Sequence, residues 1–126
     1  MPADKIDVHA HYLPQVYRDA LVTAGQTQPD GIPALPDWSE AQAIDAMDKL
    51  DVRLAILSIS SPGVHFGDAH AAGALARAVN ETGAQITAAN PDRFGFFAAL
   101  PLPEIDAAVA ETVMRSASWA LWGSAS

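Results

Sequence analysis

The order of its segments constrains this chain most, because strand-like and helix-like stretches alternate along almost its whole length. Residues 5–11 alternate apolar and polar side chains, residues 53–60 are nearly continuously apolar, as in a strand covered on both faces, and residues 94–100 form a third apolar strand. Helix-like segments are predicted near residues 15–24, 39–50 and 68–90, and from residue 104 onward. Strands separated by helices pair in parallel, so the sequence predicts an α/β fold. Segment order leaves two forms open: part of a barrel, or an open doubly wound sheet.

Length and composition exclude several classes of protein. A chain of 126 residues is shorter than a complete (β/α)₈ barrel, which needs roughly 200 residues or more. The net charge of −8 disfavours nucleic acid as a partner, and no apolar run reaches the roughly 18 residues of a membrane span. The absence of a leader-like segment and of cysteine predicts a cytoplasmic protein. Any metal site must therefore use His, Asp or Glu.

The sharpest local motif is Asp7-Val8-His9-Ala10-His11, at the end of the first predicted strand. Residues two apart in a strand project from the same face, so His9 and His11 are predicted to lie side by side, with Asp7 on their face. Two imidazoles in this relation can bind one metal ion, and active sites of α/β folds gather at the carboxyl ends of the strands. The simpler alternative is a chance pair of histidines. Two ligands also do not complete a zinc site, which needs three or four.

The remaining polar residues give weaker signals. His65 follows the second strand and could line the same pocket, although a solvated loop histidine is the simpler interpretation, and His70 reads as a surface residue. The acidic residues at positions 45, 48 and 51 are typical of a solvated helix face. A long loop over residues 13–37 is expected to shape a pocket, with Arg18 as its single basic residue. No serine or paired-carboxylate motif indicates a catalytic residue.

Several motifs together resemble a known family. They are Ile6-Asp7-Val8-His9-Ala10-His11, Met47-Asp48, and the segments at residues 58–68, 90–95 and 101–103. The combination is similar to the amidohydrolase-related family that contains aminocarboxymuconate-semialdehyde decarboxylase, and within it to the branch that decarboxylates hydroxybenzoates such as γ-resorcylate or 6-methylsalicylate. The resemblance covers about residues 5–111.

The resemblance implies a (β/α)₈ TIM-type barrel, of which this chain has the N-terminal portion with about three strand-helix units. It also implies one divalent metal ion, with zinc expected, no organic cofactor, and His9 and His11 as the first two metal ligands. The implied activity is non-oxidative decarboxylation of a small aromatic or unsaturated carboxylic acid. The family's other ligands and its catalytic histidine come from later strands, so no catalytic residue is expected within this chain.

The chain departs from the family pattern after residue 111. Residues 1–111 correspond to a partial barrel domain, whereas residues 112–126 form an atypical tail with Trp119 and Trp122 beside several serines. A frameshift or premature stop would explain this tail, and the downstream nucleotides in the other two frames test that hypothesis. An isolated three-strand unit exposes an open sheet edge, so the chain alone is expected to be poorly stable or to aggregate, to bind metal weakly and to be inactive.

Two other functions stay open from the sequence. The same scaffold could activate a metal-bound water to hydrolyse an amide or a lactone. Alternatively, the chain could be a non-catalytic α/β module that forms a homo-oligomer to cover its edges. Release of carbon dioxide separates decarboxylation from hydrolysis, and a defined metal-free oligomer would favour the module.

Overall fold

Three parallel strands, flanked by helices, form the framework of the chain. The computed structural model describes the backbone of residues 3–124 and the side chains of residues 3–116. The elements are β1 (Lys5–His11), α1 (Gln15–Thr23), a single 3₁₀ turn (Pro29–Gly31), α2 (Glu40–Leu50), β2 (Val52–Ser58), α3 (Ala69–Ala89), β3 (Phe94–Phe96) and α4 (Ile105–Ser124). The strand order is β1-β2-β3, with both pairs parallel. The predicted α/β alternation is confirmed.

Side-chain caps begin two of the helices where the sequence predicts them. The Ser39 hydroxyl accepts a hydrogen bond from the Gln42 backbone N–H at 3.1 Å, which fixes the start of α2. The Asp68 carboxylate accepts one from the Ala71 N–H at 2.9 Å and starts α3 in the same way.

The third strand is shorter than predicted, ending at Phe96 instead of residue 100. A side chain of α3 replaces the strand pairing beyond this point: Asn80 Oδ1 accepts the Ala99 N–H at 2.7 Å, and Asn80 Nδ2 donates to the Ala99 carbonyl at 2.8 Å. Because Asn80 is fully buried, it satisfies backbone groups that no neighbouring strand reaches.

The sheet is covered on one face only, whereas the apolar run of β2 predicts cover on both. Ala55 and Leu57 are buried, but the alternate residues Leu54 and Ile56 are partly exposed. The buried face packs against α3 through a core that includes Tyr12, Val79 and Phe94. The opposite face, which carries His9 and His11, is open.

Within residues 3–124, both edges of the sheet are unpaired, as expected for an isolated unit. β1 and β3 are the outer strands, and apolar side chains at or beside them are exposed: Ile6, Val8, Phe97 and Leu100. Within the described part of the chain, no helix is long and apolar enough to cross a membrane.

Two side chains of α4 are buried among the described residues, Ala108 and Glu111, and Glu111 joins α4 to α3. The sequence predicts an apolar side made of Ile105, Ala108, Val109 and Val113. Ala108 is buried as predicted, but Ile105, Val109 and Val113 are exposed by 71%, 57% and 65%. The helix continues across the boundary predicted at residue 111, and the side chains of the predicted tail from residue 117 onward, Trp119 and Trp122 included, lie outside the described residues. The origin of the tail stays a prediction.

Candidate metal centre

The two predicted ligands, His9 and His11, meet at the carboxyl end of β1. Their Nε2 atoms are 3.1 Å apart, and their rings stand edge-to-face with centroids separated by 4.7 Å. Both side chains are exposed on the open face. The structure thus brings together the two imidazoles that the strand period places on one side.

A β-bulge between Asp7 and Ala10 includes His9 and corrects the prediction for Asp7. The register matches Asp7 with Ala55 and His11 with Ser58, so β1 has one residue more than β2 over this stretch. Ala55 and Ser58 are three apart and therefore point to opposite faces, which separates Asp7 from the face of His11. The Asp7 carboxylate instead accepts the backbone N–H of His9 at 3.0 Å and holds the bulge.

The contact of His11 with Ser58 favours the tautomer whose Nε2 lone pair can bind a metal ion or accept a hydrogen bond from His9. His11 Nδ1 lies 3.4 Å from the Ser58 carbonyl oxygen. Because a carbonyl only accepts, the proton belongs on Nδ1 and the lone pair on Nε2, the arrangement found in metal-binding histidines.

The 3.1 Å separation of the two Nε2 atoms is consistent both with shared binding of a metal ion and with a hydrogen bond between the rings. Two nitrogens that each lie about 2.1 Å from one ion take this separation when they bind nearly at right angles, and a hydrogen bond between two neutral rings has the same length. Within the described residues, no group of three or more His, Asp or Glu side chains could hold a metal ion. The pair therefore suits a divalent ion that receives further ligands from elsewhere.

An apolar cavity of about 310 Å³ opens beside His11. Its walls come from the end of β1, from α1, from the segment that connects α1 to α2, and from the segment after β2. They include His11, Leu13, Tyr17, Leu21, Ile32, Leu35, Trp38, Ser60 and Ser61. The long loop thus shapes a pocket, as its length predicts, but its composition did not reveal the contributions of Tyr17 and Trp38.

Arg18 does not point into this cavity as a carboxylate ligand. Its Nη1 donates to the carbonyl of Pro36 at 2.7 Å and lies 3.4 Å from that of Leu35, while Asp37 is 3.7 Å away. Arg18, which the structure places in α1, therefore attaches the loop backbone at Leu35 and Pro36 to this helix.

Tyr17 also lines the cavity, and its burial predicts that the free energy of unfolding of the chain falls at alkaline pH. Its hydroxyl contacts the carbonyls of Gly63 at 2.8 Å and Ser60 at 3.2 Å, and burial raises the pKa of this phenol to about 12. An unfolded tyrosine ionises near pH 10. The unfolded chain thus loses its proton first, and the stability from Tyr17 is present below pH 10 and lost between pH 10 and 12.

Urea unfolding from pH 9 to 11.5 should therefore show a free energy of unfolding that falls above pH 10. The fall should be smaller in Tyr17→Phe, although Tyr12, whose pKa burial also raises, leaves part of it. Equal slopes in the two proteins would contradict this linkage.

The other two histidines, His65 and His70, do not contact the His9–His11 pair and have other roles. His65 Nδ1 accepts the Gly67 N–H at 3.2 Å, so its Nε2 carries the proton and faces the Glu104 carboxylate at 3.3 Å. His65 thus ties the loop after β2 to the start of α4. His70 is exposed in the first turn of α3, as the sequence predicts.

Two other motifs of the family resemblance, Met47-Asp48 and residues 90–95, form contacts at the end of the sheet opposite the histidine pair. Arg93 donates to Asp48 Oδ1 at 2.8 Å and to the carbonyl of Arg53 at 3.1 Å. Asn90 donates to Glu40 Oε2 at 3.0 Å. Asp48 is therefore ion-paired, not simply solvated, and these motifs stabilise the fold instead of forming the site.

Comparison with known proteins gives consistent relatives, although no protein-family model matches the chain. The chain is 42% identical over 116 residues to decarboxylase yanB of Aspergillus niger, covering 87% of this chain and 31% of that protein. It is 42% identical over 98 residues to the 6-methylsalicylic acid decarboxylase acuB of Aspergillus aculeatus, covering 77% of this chain and 29% of that protein. The chain thus spans about a third of the length of these relatives.

Solved structures agree with the sequence relatives. A crystal structure of an amidohydrolase II superposes with a TM-score of 0.80 at 38% identity, over 85% of this chain and 35% of that one. A dihydroxybenzoic acid decarboxylase from Polaromonas, with bound manganese and the inhibitor 2-nitroresorcinol, superposes with a TM-score of 0.66 at 28% identity, over 86% of this chain and 33% of that one. By sequence and by fold, the chain is similar to an N-terminal third of amidohydrolase-type proteins, which include relatives named as aromatic-acid decarboxylases.

Proposed function

We propose that the whole protein to which this chain corresponds is a metal-dependent, non-oxidative decarboxylase of a small aromatic carboxylic acid, built on a (β/α)₈ barrel. The observation that carries the proposal is the His9–His11 pair, 3.1 Å apart at the end of β1, beside an apolar cavity large enough for an aromatic ring. Relatives named as decarboxylases of aromatic acids support the same chemistry.

In this proposal His9 and His11 hold a divalent metal ion through their Nε2 atoms. When bound, such an ion supplies a Lewis acid that orients and polarises an oxygen of the substrate. Ser58 keeps the His11 lone pair directed outward, and Asp7 keeps the His9 backbone in its bulge. Zinc is the expected ion, and the manganese in the Polaromonas structure makes manganese the second ion to test.

Loss of His9 should remove metal binding, which is the direct test of the pair. We expect His9→Ala to weaken Zn²⁺ binding by about tenfold or more, because even substitutions that only support a ligand cost 10–100-fold. Equilibrium dialysis followed by metal analysis measures the effect, and Mn²⁺ is run in parallel.

His70→Ala is the matched control, since His70 is an exposed histidine outside the pair. Its affinity should stay within twofold of the parent chain. Equal metal affinity in the parent and in His9→Ala would exclude the proposed centre.

Activity is tested in a chimera, because the described residues contribute only two ligands. In the chimera, this chain's matching residues replace the matching 29% of the 6-methylsalicylic acid decarboxylase acuB. Incubation with 6-methylsalicylate should release carbon dioxide, and His9→Ala in the chimera should abolish the release. Cleavage of an amide or lactone without carbon dioxide would support hydrolysis instead. The chain alone should show no turnover, and light scattering on it tests whether it forms a homo-oligomer.

A further inference from the structure

The cavity beside His11 is lined mainly by apolar side chains, and its volume is about 310 Å³. The apolar lining includes side chains from α1 and from the following loop: Tyr17, Leu21, Ile32, Leu35 and Trp38. The polar lining residues besides His11 are Asp30, Asp37, Ser60 and Ser61. A group bound against this wall would exchange water for hydrocarbon and aromatic surface.

Contacts outside the cavity hold this wall in place. Trp38 packs edge-to-face on Tyr12, with centroids 5.8 Å apart, and the Tyr12 hydroxyl donates to the Val79 carbonyl on α3 at 3.3 Å. Arg18 holds the loop backbone at Leu35 and Pro36. The pocket is therefore formed before any ligand arrives, which reduces the entropy lost on binding.

The charges that line the cavity disfavour a carboxylate within it. Among the described residues that line it, the charged side chains are Asp30 and Asp37, and neither lysine nor arginine contributes. The nearby Arg18 directs its guanidinium to backbone carbonyls and to Asp37. An aromatic acid would therefore place its carboxylate toward His9 and His11 and the opposite part of its ring in the cavity.

The volume of the cavity also limits the size of an aromatic ring that could bind in it. A dry cavity of about 150 Å³ accommodates benzene, and small-molecule pockets begin at about 300 Å³. A volume of about 310 Å³ thus suits one ring with a small substituent. A second ring hydroxyl would lose its water without gaining a partner on the apolar wall.

We propose that this cavity is a subsite for an apolar ring substituent, so that the loop over residues 29–38 selects alkyl-substituted over polyhydroxylated aromatic acids. The inference rests on the proposed function, because it assigns the substituent end of the same substrate. Leu35 and Ile32 contact the substituent, and Arg18 is a positioning residue that holds Leu35.

The test uses two uncharged probes that differ in one group, 3-methylphenol and resorcinol. Titration of the full chain, with isotope-labelled methyl groups followed by NMR, should show that 3-methylphenol shifts the signals of Leu21, Ile32 and Leu35. Resorcinol should bind at least about tenfold more weakly, since a hydroxyl in place of a methyl in an apolar pocket costs up to about a hundredfold. Leu35→Asn, which keeps the side-chain size but adds an amide, should weaken 3-methylphenol binding by at least about tenfold.

Leu50→Asn is the matched control, since Leu50 is 63% exposed at the end of α2, and it should leave the affinity within twofold. If Leu35→Asn does not fold, as judged by its spectrum, Ile32→Asn replaces it. The subsite is wrong if the two probes bind equally, if 3-methylphenol does not bind, or if its shifts lie at the β3 edge. Neither probe carries a carboxylate, so these outcomes do not depend on metal, whereas the His9→Ala dialysis tests the proposed function separately.

Discussion

Replacing Glu111 by alanine is expected to destabilise the chain by about 3–5 kcal/mol, the cost of removing one partner from a buried ionic network. Glu111 is 3% exposed and joins α4 to α3. Its carboxylate accepts from Arg77 Nε at 2.9 Å and from Asn80 Nδ2 at 2.9 Å. Arg115 Nε lies 3.2 Å from it without the geometry of a hydrogen bond, so that contact is ionic.

The loss arises because the alanine variant leaves a largely buried Arg115 and a fully buried Asn80 without their anion. Urea unfolding at pH 7 measures it. Glu81→Ala is the matched control, since Glu81 is an exposed acid on α3, and it should change the free energy of unfolding by less than about 0.5 kcal/mol. A loss below about 1 kcal/mol for Glu111→Ala would show that the network does not connect the two helices in solution.

Replacing Gly83 by alanine should destabilise the chain, although alanine is the better helix former. A β-carbon at Gly83 would lie 2.7 Å from Phe96 Cδ2 and 2.8 Å from the Tyr12 hydroxyl. Tyr12 is held by Val79, so the neighbours cannot move apart freely. Overpacking of this kind costs about 1–3 kcal/mol, which exceeds the gain of about 1 kcal/mol in helix propensity.

Gly73→Ala in the same helix supplies the comparison. Beyond its chain neighbours and the backbone of α3 itself, no described atom lies within 4 Å of a β-carbon at Gly73, so this substitution should stabilise the chain by up to about 1 kcal/mol. The same chemical change should therefore have opposite signs at two positions of α3, measured by thermal or urea unfolding. A stabilising Gly83→Ala would mean that α3 is less closely packed on the sheet than the structure shows.

The fold was predictable where a local pattern determines it. The period of residues 5–11 predicts β1, and the caps at Ser39 and Asp68 predict the starts of α2 and α3. The end of β3 was not predictable from local pattern. It depends on the side chain of Asn80, which forms hydrogen bonds with the backbone N–H and carbonyl of Ala99, 19 residues later in the chain. The exposed apolar side of α4 was missed for a related reason, since the buried partner of Glu111 lies on another helix.

The candidate site, like the fold, was predictable from the sequence only in part. The spacing of His9 and His11 predicts a shared face, and their Nε2 distance of 3.1 Å agrees. The bulge that removes Asp7 from that face depends on the register with β2, which no pattern within β1 reports. The walls of the cavity come from separate segments, so the contribution of Trp38 becomes visible only when the loop folds back over α1.

By itself, then, the sequence determined the order of strands and helices, the positions of two helix caps and the pair of histidines at the end of β1. These features depend on backbone period and on hydrogen bonds between residues a few positions apart. Only the tertiary structure decided which face of the sheet is covered, how Glu111 and Asn80 join α3 to α4, and where the apolar cavity meets His11. Those features depend on contacts between distant segments, whose energies exist only after the chain has packed.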